Sequence, residues 1–239
     1  MQLQVLGKRI SYEVVGSGPH LLFVHGWGGT KQSLKPLALL LSKKYTCILI
    51  DLPGFGESDN PESSWGVNEY ADLVREFLFI LKIKNIIYFG HSFGGSLGIC
   101  LSANQEANID KLVLCNTSYK RTTQKTTSRI PSWIPPAFLF PIRKLYYNIF
   151  YPSSDMMKYP RLESNFRSIV STDLSGLLSQ IKVRTLIVWG QNDMETPVAL
   201  ATELEKQIKN SSLVIIPGGS HGLPLNNPKV VFDAITKFL

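Results

Sequence analysis

No stretch of this 239-residue chain approaches the roughly 20 consecutive apolar residues that a membrane-spanning helix requires. The opening Met1-Gln2-Leu3-Gln4 starts a strand-like alternation rather than a charged and apolar leader, so a soluble, unexported, cytoplasmic protein is expected. Charge is scarce, at 18% of residues against 44% hydrophobic, a balance too apolar for a disordered chain and sufficient for one substantial core. Cysteine is scarcer still. Cys47, Cys100 and Cys115 each lie inside an apolar segment without metal-like spacing and read as small buried hydrophobes in a reducing compartment. The sequence has no Cys/His/Asp cluster that suggests a metal, no glycine-rich phosphate loop, no internal repeat and no long low-complexity tract. One main domain that needs no metal and no cofactor is therefore the expectation.

The net charge of +7 is unevenly placed. Nine basic residues lie between Thr117 and Ser175, among them Lys120, Arg121, Arg143, Lys144, Arg161 and Arg167, against three acidic ones, Asp155, Glu163 and Asp173. A uniformly basic protein would suggest nucleic acid; charge confined to one segment suggests a local acidic partner or an anionic substrate. A solvated basic surface is the plainer reading of the same residues. Neither a nucleic-acid nor a membrane role is expected.

The hydrophobic pattern explains why that segment stands apart. Leu3 to Leu6, Ile10 to Val15 and His20 to Val24 read as strands, the first two as a hairpin. Helix-like stretches then alternate with strands: helix Ser33 to Ser42, strand Thr46 to Ile50, helix Val67 to Leu81, strand Asn85 to Phe89, helix Phe93 to Asn104 and strand Ile109 to Cys115. The alternation stops at Asn116 and resumes with strand Arg184 to Trp189, helix Pro197 to Lys209, strand Leu213 to Ile216 and helix Pro228 to Phe238. Such spacing predicts an α/β fold, a largely parallel sheet with helices on both faces. Residues 1–116 and 176–239 form its core, and 117–175 an insertion rich in aromatic residues. Repeated prolines, including Pro135-Pro136, argue for short broken helices within it.

Four polar motifs follow four predicted strands, at the carboxyl ends where open parallel sheets collect their ligands. His25-Gly26-Trp27-Gly28-Gly29 follows the third strand, Gly90-His91-Ser92-Phe93-Gly94 the fifth, Asp193 the seventh and His221 the eighth. Serine between two glycines, after a strand and before a helix, reads as a nucleophile elbow. A serine hydroxyl is a poor nucleophile near neutral pH, so it needs a base to take its proton and a third group to hold that base in the right tautomer. With only four histidines the candidates for base are few. His91 adjoins Ser92, which points their side chains apart; His25 reads as a brace for its loop, and His20 opens a strand. His221 is left as the base, with Asp193 as its orienting acid and Glu195 as the competitor for that role.

The order Ser92, Asp193, His221, with the elbow and the His-Gly-x-Gly loop, resembles the α/β-hydrolase superfamily over essentially the whole length. That resemblance implies a mostly parallel eight-stranded sheet, with residues 117–175 as the variable helical cap. It implies the backbone N–H groups of Trp27 and Phe93 as the oxyanion hole. Gly190-Gln191-Asn192-Asp193 resembles the family's turn before its acid, favouring Asp193 over Glu195. Asp51-Leu52-Pro53-Gly54-Phe55-Gly56-Glu57-Ser58 is similar to a recurring family segment and reads as scaffold, its aspartate tying down a loop. An aspartate at the elbow would suggest epoxide or carbon–halogen hydrolysis; serine directs the expectation to acyl transfer, a carboxylesterase working through an acyl-enzyme.

Within the superfamily, the loops and short basic cap look like those of the pimeloyl-carrier-protein methyl ester esterases, although this elbow has His91 where that group more often has tryptophan. The implied substrate is a small ester or a carrier-linked methyl ester, with an acidic carrier protein held at the basic cap. Phe138, Phe140 and Tyr147 are expected to line an acyl pocket, with Arg143 facing outward or toward an anionic group. Two other classes stand beside this one: a lyase or carbon–carbon hydrolase of the same fold acting on an acidic metabolite, and a non-catalytic binding protein.

Overall fold

A computed structural model describes residues 1–120 and 159–239. Eight strands form one sheet: β1 (Gln2–Val5), β2 (Lys8–Val15), β3 (His20–Val24), β4 (Thr46–Ile50), β5 (Ile86–His91), β6 (Ile109–Cys115), β7 (Arg184–Gly190) and β8 (Ser211–Ile216). They lie in the order β1-β2-β4-β3-β5-β6-β7-β8. The β1–β2 hairpin and the β2–β4 pair are antiparallel; every other pairing is parallel. The central strands are apolar on both sides because both sides are covered. Leu22 and Val24 of β3 pack into one cluster with Tyr88, Leu112 and Trp189, while the alternate residues Leu21 and Phe23 join a second with Phe89, Val113 and Val188.

Helices supply the rest of each cluster. On the first face lie α2 (Val67–Ile80), α3 (Phe93–Ala103) and α5 (Ala199–Gln207); on the second lie α1 (Lys31–Leu41), α6 (Leu223–Asn226) and α7 (Pro228–Ile235). The helix expected over Pro228–Phe238 ends at Ile235, and the one-turn α6 precedes it. The strand expected to end at Phe89 runs on to His91, directly into the elbow. Helix α3 is buried along its whole length, which its small residues permit: a Cβ on Gly98 would sit 2.7 Å from the Tyr88 ring. The fold is that of the α/β hydrolases, with the candidate site residues following β3, β5, β7 and β8.

Most of the segment expected to form a cap, including Phe138, Phe140, Arg143 and Tyr147, lies outside the described residues. Its two ends are described and meet, since the Leu174 N–H donates to the Tyr119 carbonyl at 2.9 Å. The returning end carries a single 3-10 turn (Pro160–Leu162), α4 (Glu163–Ser171) and a second 3-10 segment (Ser175–Gln180). Buried Asn165 anchors α4 by donating to the carbonyls of Glu62 and Trp65, at 2.7 and 2.9 Å. Among the described residues, no helix is long and apolar enough to cross a membrane.

Candidate active site

Ser92 is the hinge between β5 and α3, at φ 50° and ψ −114°. A non-glycine residue in the left-handed region costs about 1–3 kcal/mol and persists only where its surroundings over-determine it. Here they do. The Ser92 N–H donates to the Cys115 carbonyl at 3.0 Å, while its own carbonyl accepts from Gly95, Ser96 and Ser118 at 3.0, 3.3 and 3.2 Å. The flanking glycines are required by close approach: a Cβ on Gly90 would stand 2.5 Å from the Gly94 carbonyl oxygen, and one on Gly94 would stand 2.2 Å from that of Val24. No larger side chain fits without moving backbone.

The strained turn presents Ser92 Oγ 3.0 Å from His221 Nε2. On the other side of the imidazole, His221 Nδ1 is 2.9 Å from Asp193 Oδ2. Three residues separated by up to 129 positions thus form one continuous hydrogen-bonded chain. Glu195, the competing acid, lies elsewhere: its Oε2 is 3.6 Å from Nε2, on the serine side of the ring, and the side chain is 46% exposed. The structure therefore puts Asp193, not Glu195, against Nδ1.

Asp193 is buried, and burial is the largest single influence on it, opposing its charge. Hydrogen bonds from His221 and Thr196 outweigh that penalty and hold its carboxyl below the ordinary aspartate value. The carboxylate accepts from the Glu195 and Thr196 N–H groups at Oδ1, at 2.9 and 2.8 Å. At Oδ2 it accepts from Thr196 Oγ1 at 2.6 Å and from Asn116 Nδ2. Neither Asn116 nor Thr196 was singled out by the sequence. Each is one polar residue in a loop, and only the folded sheet brings them to Asp193.

The loop after β3 lies against Ser92, for a Cβ on Gly26 would be 2.9 Å from Ser92 Cβ. Its Trp27 ring is 6.0 Å from that of Phe93, the first residue of α3. Among the described residues, neither the Trp27 nor the Phe93 backbone N–H has an acceptor. His25 braces this loop as its sequence position suggests. Nδ1–H donates to the Gly26 carbonyl at 2.7 Å and Nε2 accepts the Leu52 N–H at 3.0 Å, which requires a neutral ring. Burial, foremost, drives its pKa down to about 4. His91 is also held neutral, chiefly by burial and then by the charge of nearby His221, with a pKa lowered to about 3. Its Nε2–H donates to the His221 carbonyl at 2.9 Å, so it supports the backbone of His221. His20 is exposed at the start of β3.

Aromatic side chains pack around Trp27. Trp27 packs at 4.9 Å from Phe55 and 5.3 Å from Phe166 of α4, and Phe55 at 5.1 Å from Tyr159. Tyr159 also reaches the Gly28 carbonyl through its hydroxyl, at 3.3 Å. Tyr159 and Phe166 belong to the segment whose aromatic richness was legible, but which of its rings meet the core was not. Burial pushes the thiols of Cys47 and Cys100 up to about 12, so they are chemically quiet, and all three cysteines are free. Among the described residues, no three His, Cys, Asp or Glu side chains are grouped so as to hold a metal ion.

Comparison with known proteins follows the same lines. Residues 19–141 match the family described as alpha/beta hydrolase fold, and residues 169–239 match one described as TAP-like protein. The chain is 27% identical over 254 residues to the AB hydrolase superfamily protein YisY of Bacillus subtilis, covering 95% of this chain and 93% of that protein. It is 24% identical over 262 residues to a pimeloyl-[acyl-carrier protein] methyl ester esterase of Wigglesworthia glossinidia brevipalpis, covering 97% and 98%. The solved enol-lactonase of Burkholderia xenovorans LB400 shares the fold, with a TM-score of 0.80 at 21% identity over 100% of this chain and 99% of that one.

Proposed function

This chain belongs to the alpha/beta hydrolase fold family, and from that premise we propose that it is a serine carboxylesterase working through an acyl-enzyme on Ser92. The observation that carries the reading is the unbroken path from Ser92 Oγ through His221 to Asp193, at 3.0 and 2.9 Å. His221 Nε2 takes the proton as Ser92 Oγ bonds to the ester carbonyl carbon. Asp193 keeps the other ring proton on Nδ1 and stabilises the imidazolium that forms. The Trp27 and Phe93 N–H groups meet the oxyanion as it develops. Collapse of the tetrahedral intermediate breaks the bond to the alcohol oxygen, which leaves with the proton from His221. Water, deprotonated by the same base, then releases the acid and restores Ser92.

Within that reading the substrate is a small ester or a carrier-linked methyl ester, which the similarity to the Wigglesworthia esterase supports. An acidic carrier protein would dock at the basic 117–175 segment, the cap of a core made of 1–116 and 176–239. Arg143 would serve that contact, and Phe138, Phe140 and Tyr147 would line the acyl pocket. The three free, buried thiols suit a reducing cytoplasm. A chain-length series of aryl esters, run beside a carrier-linked methyl ester with wild type and Ser92→Ala, tests the proposal. Turnover that disappears in folded Ser92→Ala supports it. Full esterase activity in that variant, or failure of the wild type on every ester, overturns it, the latter in favour of carbon–carbon hydrolysis or a binding role.

A further inference from the structure

Among the described residues, Asp193 receives five hydrogen bonds, and those at Oδ2 from Asn116 and Thr196 come from side chains outside the proton path. Asn116 follows β6 in the left-handed region, at φ 48°, and is wholly buried. Its side chain spans the two loops that must stay in register. Nδ2 donates to Asp193 Oδ2 and, at 3.2 Å, to the carbonyl of Ser220, the neighbour of His221; Oδ1 accepts the Gly190 N–H at 3.4 Å. Thr196 Oγ1 stands 2.6 Å from Asp193 Oδ2 and 3.3 Å from His221 Nδ1, and its carbonyl accepts from buried Trp189 Nε1 at 2.7 Å.

Building on the serine-hydrolase reading, we infer that Asn116 and Thr196 are positioning residues that aim Asp193 at His221 and temper the carboxylate, keeping His221 neutral and ready to accept the Ser92 proton. The chemistry of the donors suits this task. An amide and a hydroxyl disperse the charge on Oδ2 without adding any, whereas a second carboxylate at 116 would repel Asp193 and favour a shared proton. Each donor leaves less negative charge on Asp193 to stabilise an imidazolium. Removing one strengthens the hold of His221 on its proton, so the acid limb of the reaction moves to higher pH. The imidazole is also less well aimed, which slows chemistry without touching substrate binding.

Among the described residues, the titratable groups facing this pair are few. Glu195 shares the loop of Asp193 with its Oε2 3.6 Å from His221 Nε2, and His91 comes from the end of β5 with its ring 5.3 Å from that of His221. Cys115 of β6 lies behind Asp193 as a neutral thiol. None of them changes in the variants that test the inference.

The test measures the second-order rate of fluorophosphonate labelling against pH, with kcat and KM on p-nitrophenyl acetate normalised to titrated sites. Wild type is compared with Asn116→Ala, the near-isosteric Thr196→Val and the conservative Thr196→Ser. Asn116→Ala and Thr196→Val are expected to slow labelling and kcat by on the order of tenfold at unchanged KM. Both should move the acid limb upward by about half a pH unit, and Thr196→Ser should restore the wild-type limb. A limb that stays in place in Thr196→Val overturns the inference, even if Asn116→Ala fails to fold. If wild type labels normally in that case, the hydrolase reading survives alone; if wild type does not label, both fall.

Discussion

Two aspartates with wholly buried side chains follow strands of this sheet, and their partners could hardly differ more. Asp51, after β4, faces a permanent cation: Lys31 Nζ is 2.6 Å from Oδ2, and the Lys31 and Glu57 N–H groups complete its shell at 2.6 and 3.1 Å. Burial opposes the charge on Lys31, but its bonds to Asp51 and Glu57 outweigh that effect and raise its pKa. Among the described residues, Asp193 faces only neutral donors and one titratable ring. A carboxylate matched by a lysine is electrostatically spent and holds loops together. On the proposed mechanism, one matched by amide, hydroxyl and imidazole keeps charge in reserve for the moment the imidazole gains a proton.

Asparagine at each position should separate the two roles. Asp193→Asn replaces an acceptor with a donor and inverts the His221 tautomer. Turnover per folded molecule should fall by about 10³–10⁴-fold, beyond anything the about 1–3 kcal/mol of lost buried hydrogen bonding explains, checked by steady-state kinetics beside calorimetry. Asp51→Asn should do the reverse. Lys31 keeps Glu57 at 2.8 Å, so the loss of its buried partner should cost about 1–3 kcal/mol, read from urea unfolding, while molecules that remain folded keep turnover per titrated site within a few-fold. Equal losses of turnover per site in the two variants would erase the distinction.

Glu195→Gln sharpens the comparison at closer range, because it removes a carboxylate that reaches the same ring from the serine side. Turnover is expected to stay within about tenfold of wild type. A collapse comparable to that of Asp193→Asn would reassign the acid.

The smallest effect concerns the bracing histidines. Their folded values, about 4 for His25 and about 3 for His91, lie below the ordinary 6.5, so the unfolded chain takes up protons first. Their contribution to stability is complete above pH 6.5 and is lost as pH falls from there toward 4 and 3. Urea midpoints measured across that range should decline with pH in wild type and less steeply in His91→Gln. An unchanged slope would show that His91 is not the group being protonated.

Much of this was legible in the sequence because it is local. A serine between glycines after an apolar run announces its turn by sterics, and the β1–β2 hairpin and the alternation of strand and helix follow from side-chain period alone. The choice of Asp193 over Glu195 was legible through a turn resemblance, and the distances to opposite ring nitrogens now give it a physical basis. Asn116 and Thr196 were not legible, since each matters through contacts spanning 74 to 104 residues or through one rotamer in a loop. Tyr159 and Phe166 were hidden differently, as two rings among many in a segment whose aromatic content gives no periodic signal. The pocket assigned to Phe138, Phe140, Arg143 and Tyr147 lies outside the described residues.

The account rests on His221 activating Ser92, and intact-mass analysis after fluorophosphonate treatment measures that directly. Wild type at neutral pH should gain one adduct, mapped by peptide digestion to Ser92, and folded Ser92→Ala should gain none. Folded His221→Ala should label slower by on the order of 10³-fold or more. An adduct on another residue, or labelling of His221→Ala at the wild-type rate, would contradict the account.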